Sequence, residues 1–325
     1  MTRVAAVDCG TNSIRLLVAD VSRENASAGG VGSLQIRERE RVMTIVRLGE
    51  GVDRTGQFSA DALERTFAAC ADYARIIDSH DVSVVRFIAT SASRDVSNRE
   101  AFIDGVRQRL GVTPAVITGV EEAQLSFAGA LGGLGTALLP APALVVDIGG
   151  GSTECVLGST DETSLTPEES FSADIGCVRL TERHLHGDPP TVEQIRAARR
   201  DINEALDAVE GQVGLAKAAS MAGLAGTVTT MSAIALDLRE YDPKMLHGSL
   251  LTVAQIDAIT EQLLTMTRAE RALIPAMHPG RVDVIAGGAL VLQAVVARTA
   301  LDHIVVSEAD ILDGIALKLG EEFAD

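Results

Sequence analysis

Asp8-Cys9-Gly10-Thr11-Asn12-Ser13-Ile14-Arg15 and Asp147-Ile148-Gly149-Gly150-Gly151-Ser152-Thr153-Glu154 are two versions of one pattern. Each turn-forming stretch lies between short apolar runs, Val4–Val7 and Ile14–Val21 for the first, with Leu144–Asp147 leading into the second. Apolar runs on either side of a short Gly, Asn and Ser turn predict a β-hairpin. Residues 4–20 overlay 143–159 without a gap, placing Asp8 on Asp147, Gly10 on Gly149 and Ser13 on Ser152. A self-match of this kind predicts an internal duplication, with the two turns facing each other across an interdomain cleft.

A two-residue turn also fixes which residues oppose each other. Asp8 falls opposite Arg15 and Asp147 opposite Glu154, and opposed side chains share a face with Cβ atoms about 5 Å apart. The first hairpin thus sets a guanidinium beside a carboxylate. The second sets two carboxylates together, which repel unless a cation lies between them. Mg²⁺ is suited to such a place, since it takes one or two carboxylates and completes its shell with water and phosphate oxygens. The turn glycines let successive backbone N–H groups converge on a phosphate.

Working outward, 325 residues exceed what one core serves well, and two domains are expected. Leu63, Phe67, Ala71, Ala74 and Ile77 recur at helical spacing and predict a helix over about 60–78. Val82–Ala89 and Ala115–Thr118 read as strands, with a helix opened by Asn98 and closed by Gly111 between them and another over about 120–131. Ile36–Val46 reads as a strand carrying Arg37, Arg39 and Arg41 on one face. Glycines at 132, 133 and 135 and prolines at 140 and 142 mark the domain boundary. The first domain is residues 1–133 plus a returning 306–325, and the second is 134–305. Beyond the boundary, Thr191-x-x-Gln194 and Thr252-x-x-Gln255 predict capping boxes. Ala218–Ala222 and His303–Val306 read as strands, and Arg281–Arg298 as a buried helix. Strands mixed with crossover helices in both halves give an α/β class.

Composition excludes several functions. Basic residues number 28 against 45 acidic, a net charge of −17, which disfavours a nucleic-acid partner. Aromatics are 3% with no Trp, too few for stacking platforms on single strands. The charge is uneven: 15 basic and 17 acidic residues over 1–133, 12 and 22 over 134–305, and 1 and 6 over 306–325. A polyanion is therefore repelled least around Arg37, Arg39, Arg41 and Arg47. The four cysteines are scattered without a Cys-x-x-Cys, which predicts a reducing, cytoplasmic setting without disulfides or zinc. The start of the chain does not read as a signal peptide. The longest apolar stretch, 282–297, is interrupted by Asp283 and Gln293 and is too short for a bilayer span, so no membrane association is expected. No Gly-x-x-x-x-Gly-Lys and no nucleophile elbow are present, and the six histidines do not pair at metal spacing. Two positions stay open on the residues alone. Arg94 suits either a ligand group beyond a strand end or an ion pair with Asp95, and Arg281 suits either a cleft or a pairing with Asp283.

The blocks DCGTNSIR (8–15), RLGEGV (47–52), ATSASRD (89–95), EEAQLSF (121–127), DIGGGSTE (147–154), GCVRLTE (176–182), AGTVTTMSA (225–233), HGSLLT (247–252), RVDVIAGGALVL (281–292) and VSEADILDG (306–314) resemble, in order, those of the exopolyphosphatase/guanosine pentaphosphate phosphatase (Ppx/GppA) family. The resemblance covers essentially the whole chain in its short two-domain form. It implies two duplicated actin-like (ribonuclease H-like) ATPase domains and Mg²⁺-assisted release of terminal phosphate from inorganic polyphosphate. The two-domain size and the acidic balance of residues 134–305 add the expectation that short chains are preferred. Under it, Glu122 activates water, chosen over Glu121 because it precedes the small Ala123. Arg94 and Arg15 neutralise charge, and Asp147 and Glu154 hold Mg²⁺. Asp8, Gly10, Thr11, Asn12 and Ser13 form one phosphate site, and Gly149, Gly150, Gly151, Ser152 and Thr153 the other. It also implies a homodimer. The rival readings are a guanosine pentaphosphate (pppGpp) hydrolase, a non-catalytic (p)ppGpp sensor, and an actin-like ATPase or sugar kinase. The acidic pair at the head of residues 121–127 also suits the positive end of a helix dipole.

Overall fold

The computed structural model describes residues 2–23, 34–161 and 164–323. The chain opens with the expected hairpin, β1 (Thr2–Cys9) against β2 (Ser13–Arg23), in the register that pairs Asp8 with Arg15. There follow β3 (Leu34–Ile45), α1 (Val52–Thr55), α2 (Ala60–Ser79), β4 (Val84–Ala89), α3 (Ser91–Arg94), α4 (Arg99–Leu110), β5 (Ala115–Val116) and α5 (Gly119–Leu134). The second copy begins with β6 (Ala143–Ile148), β7 (Thr153–Asp161) and β8 (Ser164–Ala173), and Asp147 pairs with Glu154 as the turn requires. It continues through α6 (Cys177–His184), α7 (Val192–Glu210), β9 (Ser220–Leu224), α8 (Ala225–Ala235), α9 (Pro243–Leu246), β10 (Leu250–Thr252), α10 (Val253–Thr265), α11 (Arg268–Arg271), α12 (Ile285–Val296) and β11 (His303–Val306). The last helix, α13 (Ile311–Phe323), packs back on the first sheet. Two compact units result, residues 1–129 with 311–325, and 130–310.

The sheets show the duplication directly. The first runs β3-β2-β1-β4-β5 and the second β8-β7-β6-β9-β11-β10. In both, the hairpin and third strand are antiparallel, while β4 and β5 run parallel to β1, and β9 and β11 parallel to β6; the added edge strand β10 is antiparallel to its neighbour β11. This is the duplicated ribonuclease H-like order within an α/β class, with β10 added at one edge. The copies even share a fault in register: the ladder slips between Val18 and Ala19 in the first and between Leu157 and Gly158 in the second, which are matched positions. A bulge retained at the same place in both halves is a designed feature of the unit.

Period-two alternation sorts β1 between two cores. Ala5, Val7 and Cys9 pack with Phe58, Tyr73 and Phe102 of the α2–α4 layer, whereas Val4 and Ala6 pack with Leu312, Ile315 and Leu319 of α13. Burial on both faces explains the unbroken apolar runs. In the second unit α12 is apolar all round and nearly every residue is buried, although it starts at Ile285, after a turn holding Arg281–Val284. Thr191 and Thr252 form their capping boxes, and Thr267 with Glu270 forms a third that the apolar periodicity alone did not mark. Asn98 stands at the N-cap of α4, but its amide braces both the N–H and C=O of Phe58. Among the described residues no helix is long and apolar enough to cross a membrane.

The expectation for Arg37, Arg39 and Arg41 is corrected by the bulge. Glu40 pairs with Val18 and Glu38 with Ala19, so Arg39 is the extra residue and the alternation breaks there. Arg39 joins Arg3 on buried Asp20, while Arg41 crosses to Glu38 and to Asp313 of α13. Two of the three arginines are thereby neutralised, and charge plus bulge protects the long edge strand β3 from adding another strand. Asp20 is 2% exposed, and hydrogen bonding from Arg3, then Arg39, holds its carboxyl below the usual range. A depressed folded value stabilises the fold above the ordinary Asp range and loses that stabilisation as pH falls through the depressed value. Asp20→Asn is therefore expected to lower stability by about 1–3 kcal/mol at pH 7. Thermal melts should show the gap between the two proteins closing as the pH is taken down through the carboxylate range.

Candidate active site

The first turn is closed by the Gly10 N–H on the Ser13 carbonyl at 3.0 Å. Its other carbonyls are occupied from one side: Asn12 accepts from the N–H groups of Val46 (3.1 Å) and Arg47 (2.8 Å), and Thr11 from Gly49 (2.8 Å). Since N–H and C=O of a peptide point oppositely, holding the carbonyls on the 46–49 side turns amide donors to the other, where an anion is welcome. The Thr11 hydroxyl is 3.0 Å from that of Ser91, both buried, which ties the turn to the short helix bearing Arg94. Asp8 is 3% exposed, and Arg15 grips its Oδ2 through Nη2 (2.6 Å) and Nε (3.1 Å).

The second turn repeats this construction with a different clamp. Gly149 N–H closes on the Ser152 carbonyl at 3.0 Å; Cys177 N–H bonds the Gly149 carbonyl, and the Val178 and Arg179 N–H groups bond that of Gly150. A side chain at Gly176 would put its Cβ 2.5 Å from the carbonyl of Gly150, so only glycine lets the start of α6 sit this close. Asp147 (7% exposed) and Glu154 (1%) stand opposite each other on one face, and Ser172 donates its hydroxyl to Glu154 Oε1 at 2.7 Å. This hard, all-oxygen donor pair fits Mg²⁺. Among the described residues no cluster of three or more His, Cys, Asp and Glu gathers that could hold a metal ion.

Glu121 and Glu122 separate cleanly. The Glu121 carboxylate accepts from the Thr118 N–H (2.9 Å) and hydroxyl (3.0 Å), lies near the surface, and is held below the usual carboxylate range by those bonds, the backbone one first. It is a helix cap. Glu122 is 8% exposed and takes Arg94 Nη1 on Oε2 at 2.7 Å; the same nitrogen reaches the Ile117 carbonyl at 3.2 Å. Arg94 in turn stands on a braced turn, because Arg99 donates to the Ser93 carbonyl (2.6 Å) and the Arg94 carbonyl (2.7 Å). Nothing in the spacing singled out Arg99, since a loop, not a regular helix, carries it back to α3.

A further cluster lies where β9 runs into α8. Ala225 holds φ +66°, a left-handed conformation that costs an L-residue about 1–2 kcal/mol. Arg281 lies against the bare backbone of Gly226, bonds the Thr230 hydroxyl at 2.9 Å, and has its guanidinium 5.8 Å from the Tyr241 ring centre. Asp283 is taken by Arg268. Burial, with Glu308 beside it, pushes the Tyr241 hydroxyl up. The four cysteines are buried, and burial pushes Cys70 and Cys155 up to about 12 and Cys177 to about 11, which leaves no thiolate for nucleophilic attack at neutral pH. In the role that the resemblance implies for Glu122, Glu122→Gln is expected to lower the catalysed rate by about 10²–10⁴ without loss of fold. Glu121→Gln should keep most activity and, because glutamine also closes a capping box, cost less than about 0.5 kcal/mol of stability; steady-state rates on both variants distinguish them.

The chain is similar to known proteins over nearly its whole length. A family model described as the Ppx/GppA phosphatase family matches residues 26–322. Exopolyphosphatase 2 of Mycobacterium tuberculosis is 48% identical over 328 residues, covering 98% of this chain and 99% of that protein. The crystal structure of an exopolyphosphatase-like protein superposes with a TM-score of 0.92 at 43% identity, covering 99% of both chains. The Aquifex aeolicus member of the Ppx/GppA family superposes with a TM-score of 0.78 at 28% identity, over 100% of this chain and 99% of that one.

Proposed function

The chain belongs to the Ppx/GppA phosphatase family, and from that premise we propose that it is an exopolyphosphatase releasing the terminal phosphoryl group of inorganic polyphosphate to water. The observation that carries this reading is the 48% identity, across nearly the whole of both chains, to a protein named Exopolyphosphatase 2. The chain's own residues supply the chemistry. Phosphoryl transfer asks mainly for positioning and charge neutralisation. The donors of Gly10–Ser13 and of Gly149–Thr153 hold phosphate oxygens, with Asp8 orienting Arg15. Arg94 and Arg15 meet the charge that develops on the phosphoryl group. Glu122 receives the proton of the attacking water, and its ion pair with Arg94 keeps base and cation together. Asp147 and Glu154 hold Mg²⁺, which when bound neutralises phosphate charge. The working form in this reading is a homodimer, by resemblance to the family, in the reducing cytoplasm that four scattered cysteines suit.

Short chains are the preferred substrate. The support is electrostatic: Arg39 and Arg41 are spent on Asp20, Glu38 and Asp313, and residues 134–305 carry a net of −10, so the arginines of β3 do not make a basic track for successive phosphates. Phosphate release from tripolyphosphate up to long polymer, beside guanosine pentaphosphate and ATP, tests the proposal. The expected result is kcat/KM highest for short polyphosphate, flat or falling with length, and lower for both nucleotides. A steady rise with length would replace this preference with a processive enzyme, and a larger kcat/KM on guanosine pentaphosphate would reassign the substrate. Asp147→Asn and Glu154→Gln should each raise the half-saturating Mg²⁺ concentration by at least about tenfold. An unchanged Mg²⁺ profile in both variants removes the metal assignment.

A further inference from the structure

Matching the two sheets strand by strand exposes a third member of each functional row. In the first sheet the row across β1, β2 and β3 reads Asp8, Arg15, Met43. In the second, the row across β6, β7 and β8 reads Asp147, Glu154, Ser172. The first row is settled by an internal ion pair, Arg15 on Asp8, and its outer residue is apolar. The second places acid beside acid, and its outer residue is a hydroxyl donating 2.7 Å to Glu154 Oε1. Glu154 is 1% exposed, so water does little to orient its carboxylate. A free-rotating glutamate tip would be averaged over orientations; a donated hydroxyl bond on one oxygen selects one plane for the group. Ligating carboxylates are commonly held in this way from behind.

We propose that Ser172 is a positioning residue for the divalent cation: its hydroxyl sets the Glu154 carboxylate in the orientation that receives the ion opposite Asp147. This rests on reading Asp147 and Glu154 as the Mg²⁺ ligands. The position in the row, not the local sequence, assigns the role, because Ser172 lies 18 residues from Glu154 and meets it only through the β7–β8 register.

The test uses the full chain and Mn²⁺ as a spectroscopic probe without substrate. Ser172→Ala should weaken Mn²⁺ binding, read by electron paramagnetic resonance or calorimetry, by about 10–100-fold. The half-saturating Mg²⁺ concentration for phosphate release should rise by a similar factor, with kcat recovering as Mg²⁺ is raised. Ser172→Thr keeps the hydroxyl and should restore binding toward the parent; it also serves if the alanine variant fails to fold. Parent-like Mn²⁺ affinity in Ser172→Ala overturns the proposal, as does equal loss of affinity in the alanine and threonine variants. Glu154→Gln run alongside separates the two readings: if it too binds Mn²⁺ normally, the metal assignment itself falls; if it loses Mn²⁺ while Ser172→Ala does not, only the role of Ser172 falls.

Discussion

Closure of a two-residue turn by one N–H to one carbonyl, Gly10 to Ser13 and Gly149 to Ser152, is the constraint from which the rest of the chemistry follows. It leaves no freedom in what stands opposite what. Asp8 must meet Arg15, and Asp147 must meet Glu154. A slip of one residue would send each of these side chains to the other face of its sheet. The buried apolar residues of β1 and β6, which alternate with them, hold the register in place.

The same unit, used twice, has diverged in charge at a single position of the row. Arginine at 15 gives the first hairpin a built-in cation, while glutamate at 154 gives the second a need for one. The turns have diverged less. Each has its carbonyls occupied by a segment that follows the third strand, residues 46–49 in one and 177–179 in the other. Each turn is therefore completed only when the three-stranded meander of its unit has formed. The requirement for glycine at 176 belongs to this closeness.

Charge elsewhere is arranged to stay at home. Asp20 holds two arginines, Asp313 and Glu38 hold Arg41, and Glu322 of α13 holds Arg86. In the proposed reading an acidic chain meets an acidic substrate, and it would do so at short range through donors and arginines at the turns, not through a long-range field, which salt would screen within about 10 Å.

The sequence by itself determined the duplication, the hairpins, their facing residues and most helix limits, because these depend on neighbours in the chain: alternation, turn length and caps are local physics. In the sequence the adjacent acids Glu121 and Glu122 at a helix start look alike; only the structure shows one capping Thr118 and the other buried against Arg94. Tertiary structure alone decided the rest. The bulge at Arg39 scattered an apparent arginine stripe, because one extra residue inverts the alternation. Arg99 behind Arg94, Ser172 behind Glu154 and Arg281 against Gly226 are partnerships made across loops and sheet ladders, where distance in space has no relation to distance in sequence.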